Sequence, residues 1–558
     1  YYLMLRAYTN QDDIVVGTPV SNRHYAQIEH LIGLFVNSLA LRMKIDSNQS
    51  IKDFIEEVGH NVIESQLYQD LPFEKLVEAL EVERISNIHP IFQVMFVLQN
   101  FGSNTKKNDK KVPRLFEQNI RNELKELYNI ARFDLYTLVD DTNTKLKVRF
   151  NYVVNLYNEN TINSLVKTYQ EIIQQFSCII TNDLNKEKSL KIKDLKYFSD
   201  LEEEKVIYTW NQTKRDYPNN KTIQQLFEEQ VEKTPNNIAL IDDNTVCSYK
   251  ALNEKANQLG HYLRKQGIRS NVSVVIILED SFMLIESLLG ILKSGASYLP
   301  IPVSTPIERI NYIIEDSKAP YVITLRSMFE SINSAQAKVI LLDRDIAEIS
   351  KESPEDLNLD SHLEDIFAVL YTSGSTGEPK GVITLQSSYI NRFNWMWRLY
   401  PFSNAEVCCY KTSIGFVDSI WEIFGSLLRG VKLVIIPKHK VQDTNLFLAE
   451  LSKYNISRIT VVPTLLETLL NEVEIGAFPD TIEIVTVSGD ALSSKLVERF
   501  LNLASAKKLL NLYGSTEVGA DGTYFLIGQG HHYHSSKGGI IGKPIDNMKG
   551  YVLNKDMV

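Results

Sequence analysis

The chain reads as an α/β protein, on the evidence of its pattern, one loop and its length. Short β-rich runs alternate with amphipathic helical stretches through most of the second half. One such run, IFAVL at 366–370, leads straight into a loop of glycines and hydroxyls that closes on Lys380. At 558 residues the chain is too long for one ordinary core, so several folding units are expected.

Composition narrows the class. Hydrophobic residues make up 44% and charged residues 23%, the balance of a water-soluble globular protein. A net charge of −10 and a pI near 5.6 argue against a nonspecific nucleic-acid binder. No apolar run reaches the roughly 18 residues of a membrane span. The start, YYLMLRAY, has no basic segment or cleavage site, so a cytoplasmic protein is expected. It also lacks an initiator Met and opens inside an apolar segment, as a piece of a longer polypeptide does. Cys178, Cys247, Cys408 and Cys409 show neither metal-ligand spacing nor a disulfide framework, which suits a reducing compartment. The adjacent pair Cys408 and Cys409 reads as packing in a strand. HHYH at 531–534 has no second ligand cluster nearby and reads as a solvated loop rather than a metal site.

Taken in order, residues 1–184 form a first body, 185–220 a charged linker with one short helix capped by Ser199, and 221–558 a second body. Residues 104–111 read as an exposed loop of the first body. In the second body, strands are expected at 274–278, 321–324, 339–342, 432–436, 458–462 and 483–487. Helices are expected at 282–293 and 494–504. Such alternation gives largely parallel sheets, with ligands at the carboxyl ends of the strands.

The loop YTSGSTGEPK at 371–380, followed by Gly381, is suited to phosphate. Gly374, Gly377 and Gly381 carry no Cβ, so backbone N–H groups can approach phosphate oxygens closely. Thr372, Ser373, Ser375 and Thr376 add donors, and Lys380 adds positive charge. The spacing fails GxxxxGK[ST] and Pro379 precedes the lysine, so this is not a Walker A loop. A plain serine/glycine turn is the alternative; the strand that leads in favours phosphate handling.

This stretch resembles the ATP-binding signature of adenylate-forming enzymes, which include acyl-CoA synthetases, luciferases and the adenylation domains of nonribosomal peptide synthetases. SYKALN at 248–253, LGILKSGASYLP at 289–300, with Pro306 and ERI at 308–310, NLYGSTE at 511–517, GKPI at 542–545 and YVL at 551–553 are similar to further adenylation motifs, in the family's order. In the first body GTPVSNR at 17–23, IGLFVNSLALR at 32–42, YQDLPFE at 68–74 and FDL at 133–135 resemble the second half of a condensation domain. The resemblance implies a chloramphenicol-acetyltransferase-like condensation half-domain followed by the large N-terminal α/β subdomain of an adenylate-forming enzyme. The condensation motif HHxxxDG is not in the chain and would lie upstream of Tyr1, so no condensation catalyst is assigned. Arg23, Asn37 and Asp70 read as fold maintenance.

The resemblance also implies a chemistry: ATP-dependent activation of an amino acid as an aminoacyl-adenylate, for loading onto a carrier protein. Catalysis of that kind is mainly positioning and charge neutralisation. Thr372, Ser373, Gly374, Ser375, Thr376, Gly377 and Lys380 would hold the β- and γ-phosphates. Tyr513 would lie against the adenine, with Asn511, Gly489, Asp490, Ala491, Gly514 and Ser515 around it. Thr516 would face the α-phosphate and Glu517 would ligate Mg²⁺, a hard cation suited to carboxylate oxygen. Lys380, Thr516 and Glu517 are the catalytic candidates. Peptidyl carrier domains bearing 4′-phosphopantetheine, absent from this chain, are the implied partners, with no nucleic acid or membrane. Three departures stand out: Ser515 where the family has Pro, Pro302-Val303 for an Asp-Pro pair, and Gln386 where a His is common. The chain also ends before the family's ribose-binding Asp, hinge and small subdomain with its catalytic Lys, so incomplete turnover is expected.

For the substrate, α-amino-acid-activating relatives carry FDxSxWE, whose Asp meets the ammonium. Here the stretch is FVDSIWE at 416–422: Val417 holds the usual position and the acid has moved to Asp418. One helical step rotates a side chain by about 100° and advances it about 1.5 Å. A β-amino acid has one more methylene between carboxylate and amine, so a displaced anion suits it. The pocket positions carried over are Val417, Asp418, Trp421, Thr460, Thr486, Ser488, Leu512, Ala520 and Asp521, a set resembling that for β-alanine except at Thr460 and Thr486. Trp421 and Leu512 would leave little room for a side chain, and Asp418 and Asp521 could share the ammonium. The plain alternative for Asp418 is a helix N-cap. The rival readings are an acyl-CoA or aryl-acid ligase, which would need neither Asp418 nor an upstream condensation half, and an inactive truncated scaffold that binds ATP weakly or not at all.

Overall fold

The computed structural model describes the chain except residues 24, 29, 83–87, 100–130, 141–145, 182–189, 219, 244, 330–331, 333–336, 374–377, 404, 474–477, 505, 529–538 and 554–558. Contacts divide it into two units, Tyr1–Thr209, grouped with Val552–Val558, and Trp210–Tyr551. The runs 104–111 and 531–534 lie outside the described residues. Among the described residues no helix is long and apolar enough to cross a membrane.

The first unit is built on a mixed sheet of β1 (Asp13–Val20), β2 (Asn37–Lys44), β3 (Val94–Gln99), β4 (Leu135–Asp140) and β5 (Lys147–Tyr152), in the order β2-β1-β3-β4-β5. Period-two alternation buries Leu135, Thr137 and Val139 on one face of β4. Helices Tyr2–Thr9, Ile51–Leu67 and Glu159–Thr181 supply Leu3, Met4, Phe54, Ile162 and Ile172 to the core. Asn37 ties its strand to the next turn: its amide donates to the carbonyls of Gln69 (2.8 Å) and Leu71 (2.7 Å) and its oxygen accepts from Phe73 N–H. Arg23 donates to the carbonyls of Ile28 and Leu31, both at 2.6 Å. Asn37 and Arg23 thus hold the fold.

The stretch expected to link the bodies is packed where it is described. Ile192 and Leu195 are buried in the first unit's core, and Ile192 N–H donates to the Gln49 carbonyl. Burial of one such side chain stabilises by about 1.5–3 kcal/mol. Ser199 caps the helix Asp200–Glu203, accepting from Glu202 N–H. Residues from 210 onward join the second unit, where the Thr213 hydroxyl donates to the Met548 carbonyl (2.5 Å) and Arg215 N–H donates to Asn547.

Among the described residues the second unit contains two sheets. Its strands are β6 (Ile238–Asp242), β7 (Thr245–Ser248), β8 (Ser273–Ile276), β9 (Ser297–Pro300), β10 (Tyr321–Thr324), β11 (Lys338–Leu341), β12 (Ile366–Ser373), β13 (Pro379–Leu385), β14 (Val407–Tyr410), β15 (Lys432–Ile435), β16 (Arg458–Val461), β17 (Ile484–Val487), β18 (Lys508–Ser515), β19 (Ala520–Ile527) and β20 (Lys543–Pro544). One sheet runs β11-β10-β8-β9-β12-β13, the other β20-β19-β18-β17-β16-β14-β15-β6-β7. Both are parallel at the centre, and antiparallel pairs such as β12–β13 and β18–β19 lie toward the edges. The β-rich runs read as near-continuous apolar sequence because both faces are buried. Cys408, Leu433 and Ile435 enter one core cluster while Cys409, Val434 and Ile436 enter another. Burial pushes both thiols up, Cys408 to about 12, as packing residues require.

Candidate active site

The phosphate-suited loop joins the two strands of an antiparallel hairpin. Tyr371 pairs with Gly381, Thr372 with Lys380 and Ser373 with Pro379, so Thr372 and exposed Lys380 face each other at the mouth of the loop. Gly374, Ser375, Thr376 and Gly377 lie outside the described residues. Gln386, just past β13, is buried: its oxygen accepts from Ile223 N–H (3.0 Å) and its amide donates to Gln224 (3.2 Å). Its place in the chain serves the helix Ile223–Lys233.

The second group of candidates follows the adjacent parallel strands β17 and β18, where Val487 lies beside Asn511. Asn511 is buried and donates to the Ile540 carbonyl at 2.8 Å; Leu512 is buried and Tyr513 is 57% exposed. Gly489, Asp490 and Ala491 are exposed just beyond β17, with Ala491 N–H donating to the Asp490 carboxylate. Gly514 is required by close approach, because a Cβ there would stand 1.7 Å from the Ala520 carbonyl oxygen. The chain then turns through Thr516–Val518 and returns as β19, with Ser515 opposite Ala520. Glu517 is exposed, and the Ser515 hydroxyl holds its carboxyl below the usual range. An ionised, accessible carboxylate of this kind fits one ligand of Mg²⁺, which commonly takes few protein oxygens and several from phosphate or water.

Asp418 opens a short helix, Asp418–Ile420, that widens into a π-turn over Trp421–Gly425. It is not an N-cap: Val417 holds that position, and the Asp418 carboxylate instead accepts from the Ser488 hydroxyl at 2.7 Å. Asp418 keeps some surface open but is otherwise enclosed by protein. Burial, and then the charge of Asp521, push its carboxyl up to about 6, against the opposing effects of Ser488 and Arg392. Gly425 lets the Trp421 ring lie against its own helix, since a Cβ there would stand 2.4 Å from the ring. Trp421 also stacks near Phe402 at 6.2 Å. Thr460 and Thr486, side by side on β16 and β17, share a 2.8 Å hydrogen bond. With Trp421 they line a small cavity of about 20 Å³, space for a water and not for a side chain.

Asp521 departs from expectation. It is buried and forms an ion pair with Arg392, with Nε and Nη2 donating to Oδ2 at 2.6 and 2.5 Å. It is therefore committed to a guanidinium rather than open to share an ammonium. Sequence reasoning missed Arg392, whose buried place depends on a partner 129 residues away. It also missed Glu422, whose carboxylate accepts from the N–H groups of Lys411 (3.0 Å) and Thr412 (2.9 Å) and pairs with the Lys411 ammonium at 3.2 Å. Beyond Lys411, a larger cleft of about 670 Å³ opens past the carboxyl ends of β8, β9, β14 and β15.

Comparison with known proteins agrees with this architecture. A family model for AMP-binding enzyme matches residues 227–558, and one for Condensation domain matches residues 1–206. The chain is 33% identical to gramicidin S synthase 2 of Brevibacillus brevis, over 100% of its own length and 12% of that protein. It is also 31% identical to tyrocidine synthase 3 of Brevibacillus parabrevis, over 99% of this chain and 8% of that one. The chain thus spans about a tenth of the curated relatives it matches. Among solved structures, a four-domain nonribosomal peptide synthetase bound to AMP and glycine superposes with a TM-score of 0.80 at 23% identity, covering 100% of this chain and 40% of that one. The synthetase FmoA3 gives 0.80 at 19%, covering 99% and 57%. With two matched domains in this order, the chain belongs to the AMP-binding enzyme family, as a condensation–adenylation segment similar to those of nonribosomal peptide synthetases.

Proposed function

We propose that the second unit activates β-alanine as its acyl-adenylate, for transfer to a phosphopantetheine-bearing carrier domain in the cytoplasm. The carrying observation is that Asp418, one residue past the position held by Val417, turns its carboxylate inward onto Ser488. That anion, three residues before the buried Trp421, suits a short substrate whose amine lies one methylene further from its carboxylate. In the reaction a carboxylate oxygen attacks the α-phosphorus of ATP, the bond to the β-phosphate oxygen breaks, and pyrophosphate leaves; no proton need move. The chain's own part is placement: Asp418 anchors the ammonium, the Thr372–Lys380 hairpin grips the outer phosphates, and Tyr513 backs the adenine. Mg²⁺ bound at Glu517 would neutralise charge on the phosphates. ATP–pyrophosphate exchange with β-alanine, glycine, L-alanine, a fatty acid and an aryl acid tests the reading. β-Alanine should give the highest kcat/KM, and preference for any of the others would overturn it.

A further inference from the structure

Buried charges in the second unit cancel in pairs. Lys411 meets Glu422 at 3.2 Å, Arg458 meets Glu406 at 2.5 Å, and Arg392 meets Asp521 at 2.5 Å, all with side chains less than a tenth exposed. Among the described residues Asp418 pairs with no cation. Arg392 bears most directly on it, because its guanidinium packs on Trp421, three residues on from Asp418, and its partner Asp521 also repels Asp418. Its guanidinium lies 4.7 Å from the centre of the Trp421 ring and 5.2 Å from that of Trp395. Its Nη1 is buried with no hydrogen-bond partner among the described residues.

A buried ion pair is poor evidence of stabilisation, since desolvating both charges offsets their attraction. Its effect on a neighbouring ligand is clearer. A neutral pair projects little field, whereas either member alone would project a full charge into a site that water screens weakly. We propose that Arg392 is a specificity-determining residue: by cancelling Asp521 it leaves Asp418 alone to meet the substrate, and so restricts the pocket to substrates with one ammonium and no second charge. This rests on the reading above, in which Asp418 anchors the substrate ammonium, and on Asp521 as a pocket position that the family resemblance implies.

The test uses two analogues of β-alanine that each add one charge, 2,3-diaminopropionate and aspartate, in ATP–pyrophosphate exchange with the full-length protein. Asp521→Asn frees the guanidinium and should raise the aspartate to β-alanine ratio of kcat/KM by about tenfold or more. Arg392→Met frees the carboxylate and should raise the diaminopropionate ratio similarly, with aspartate falling. The double variant Arg392→Met with Asp521→Leu replaces the pair by apolar groups and should keep the parental order, whatever its absolute rate. A purely structural pair would lower all three substrates together. That result in Asp521→Asn, or a double variant that shifts the order as far as a single one, overturns the proposal. If Arg392→Met fails to fold, the other two variants still decide. Asp418→Asn separates the two levels. If it leaves the β-alanine KM unchanged, the pocket reading itself fails; if it raises that KM while the panel stays flat in the other variants, only the role of Arg392 fails.

Discussion

At Asp418 the proposed function opposes stability. Its carboxyl titrates near about 6 in the folded chain against an ordinary 3.8, mainly because it is buried. Between those values the folded state binds more protons than the unfolded one, so stability falls as pH rises through that window. The penalty is full above about pH 6 and absent below about pH 4. Asp418→Asn should therefore raise Tm at pH 7, by the equivalent of about 1–3 kcal/mol, and change it little at pH 4. Calorimetry at the two pH values checks this, and a lower Tm at pH 7 would mean that the carboxylate supports the fold. The same substitution removes a charge-assisted contact worth roughly 1.5–3 kcal/mol, so KM for β-alanine should rise about ten- to hundred-fold while KM for ATP stays within about twofold. In the parent, KM for β-alanine should rise as pH falls below about 6, where Asp418 becomes protonated. Asp521, Glu422 and Arg392 act on Asp418 as well, so this dependence should flatten in Asp418→Asn. Val417→Asp with Asp418→Ala returns the anion to its usual helical position and should shift preference toward glycine or alanine.

At the scale of elements, the proposed site residues lie mostly where strands end. Lys380 stands exposed on β13 opposite Thr372, so Lys380→Ala should raise KM for ATP about tenfold with a Tm shift of no more than about 2 °C. Unchanged exchange kinetics in that variant would remove the hairpin from phosphate binding. Gly514→Ala should do the reverse, costing several kcal/mol of stability, because a Cβ would strike the backbone of the returning strand. These elements were legible in sequence: β-rich runs located β8, β10, β11, β15, β16 and β17 to within a residue or two, and the hydroxyl-glycine loop marked its hairpin. Arg392, Gln386 and Glu422 were not, since their meaning lies in partners 129, 163 and up to 11 residues away. Local pattern cannot encode such pairings. The capping alternative for Asp418 was open for the same reason, because an acid at the start of a helix looks alike whether it accepts from its own backbone or from Ser488.

At the scale of the molecule, the expected boundary at 221 and the division between Thr209 and Trp210 make different claims about the intervening residues. Family motifs begin beyond 221, and a charged, proline-bearing stretch before them looks like tether. The structure gives that stretch work within the second unit. Asn211 exchanges two hydrogen bonds with Gly550, at 3.2 and 2.8 Å, and Thr213 bonds both Met548 and Asn547. Arg215 N–H donates to Asn547, and Tyr217 packs against the main core. These contacts fasten the segment just after β20, which itself closes the edge of the larger sheet beside β19. Intramolecular hydrogen bonds contribute about 0.5–1.5 kcal/mol each, so their joint loss should be measurable even after the freed backbone regains its entropy. A chain beginning at Trp210 should therefore unfold at a Tm at least about 3 °C above one beginning at Lys221, with the same far-UV circular dichroism per residue. The shorter chain should also lose amide protection first around 543–550, the segment these residues hold. Equal melting temperatures and equal exchange protection there would show that 210–220 is a tether after all.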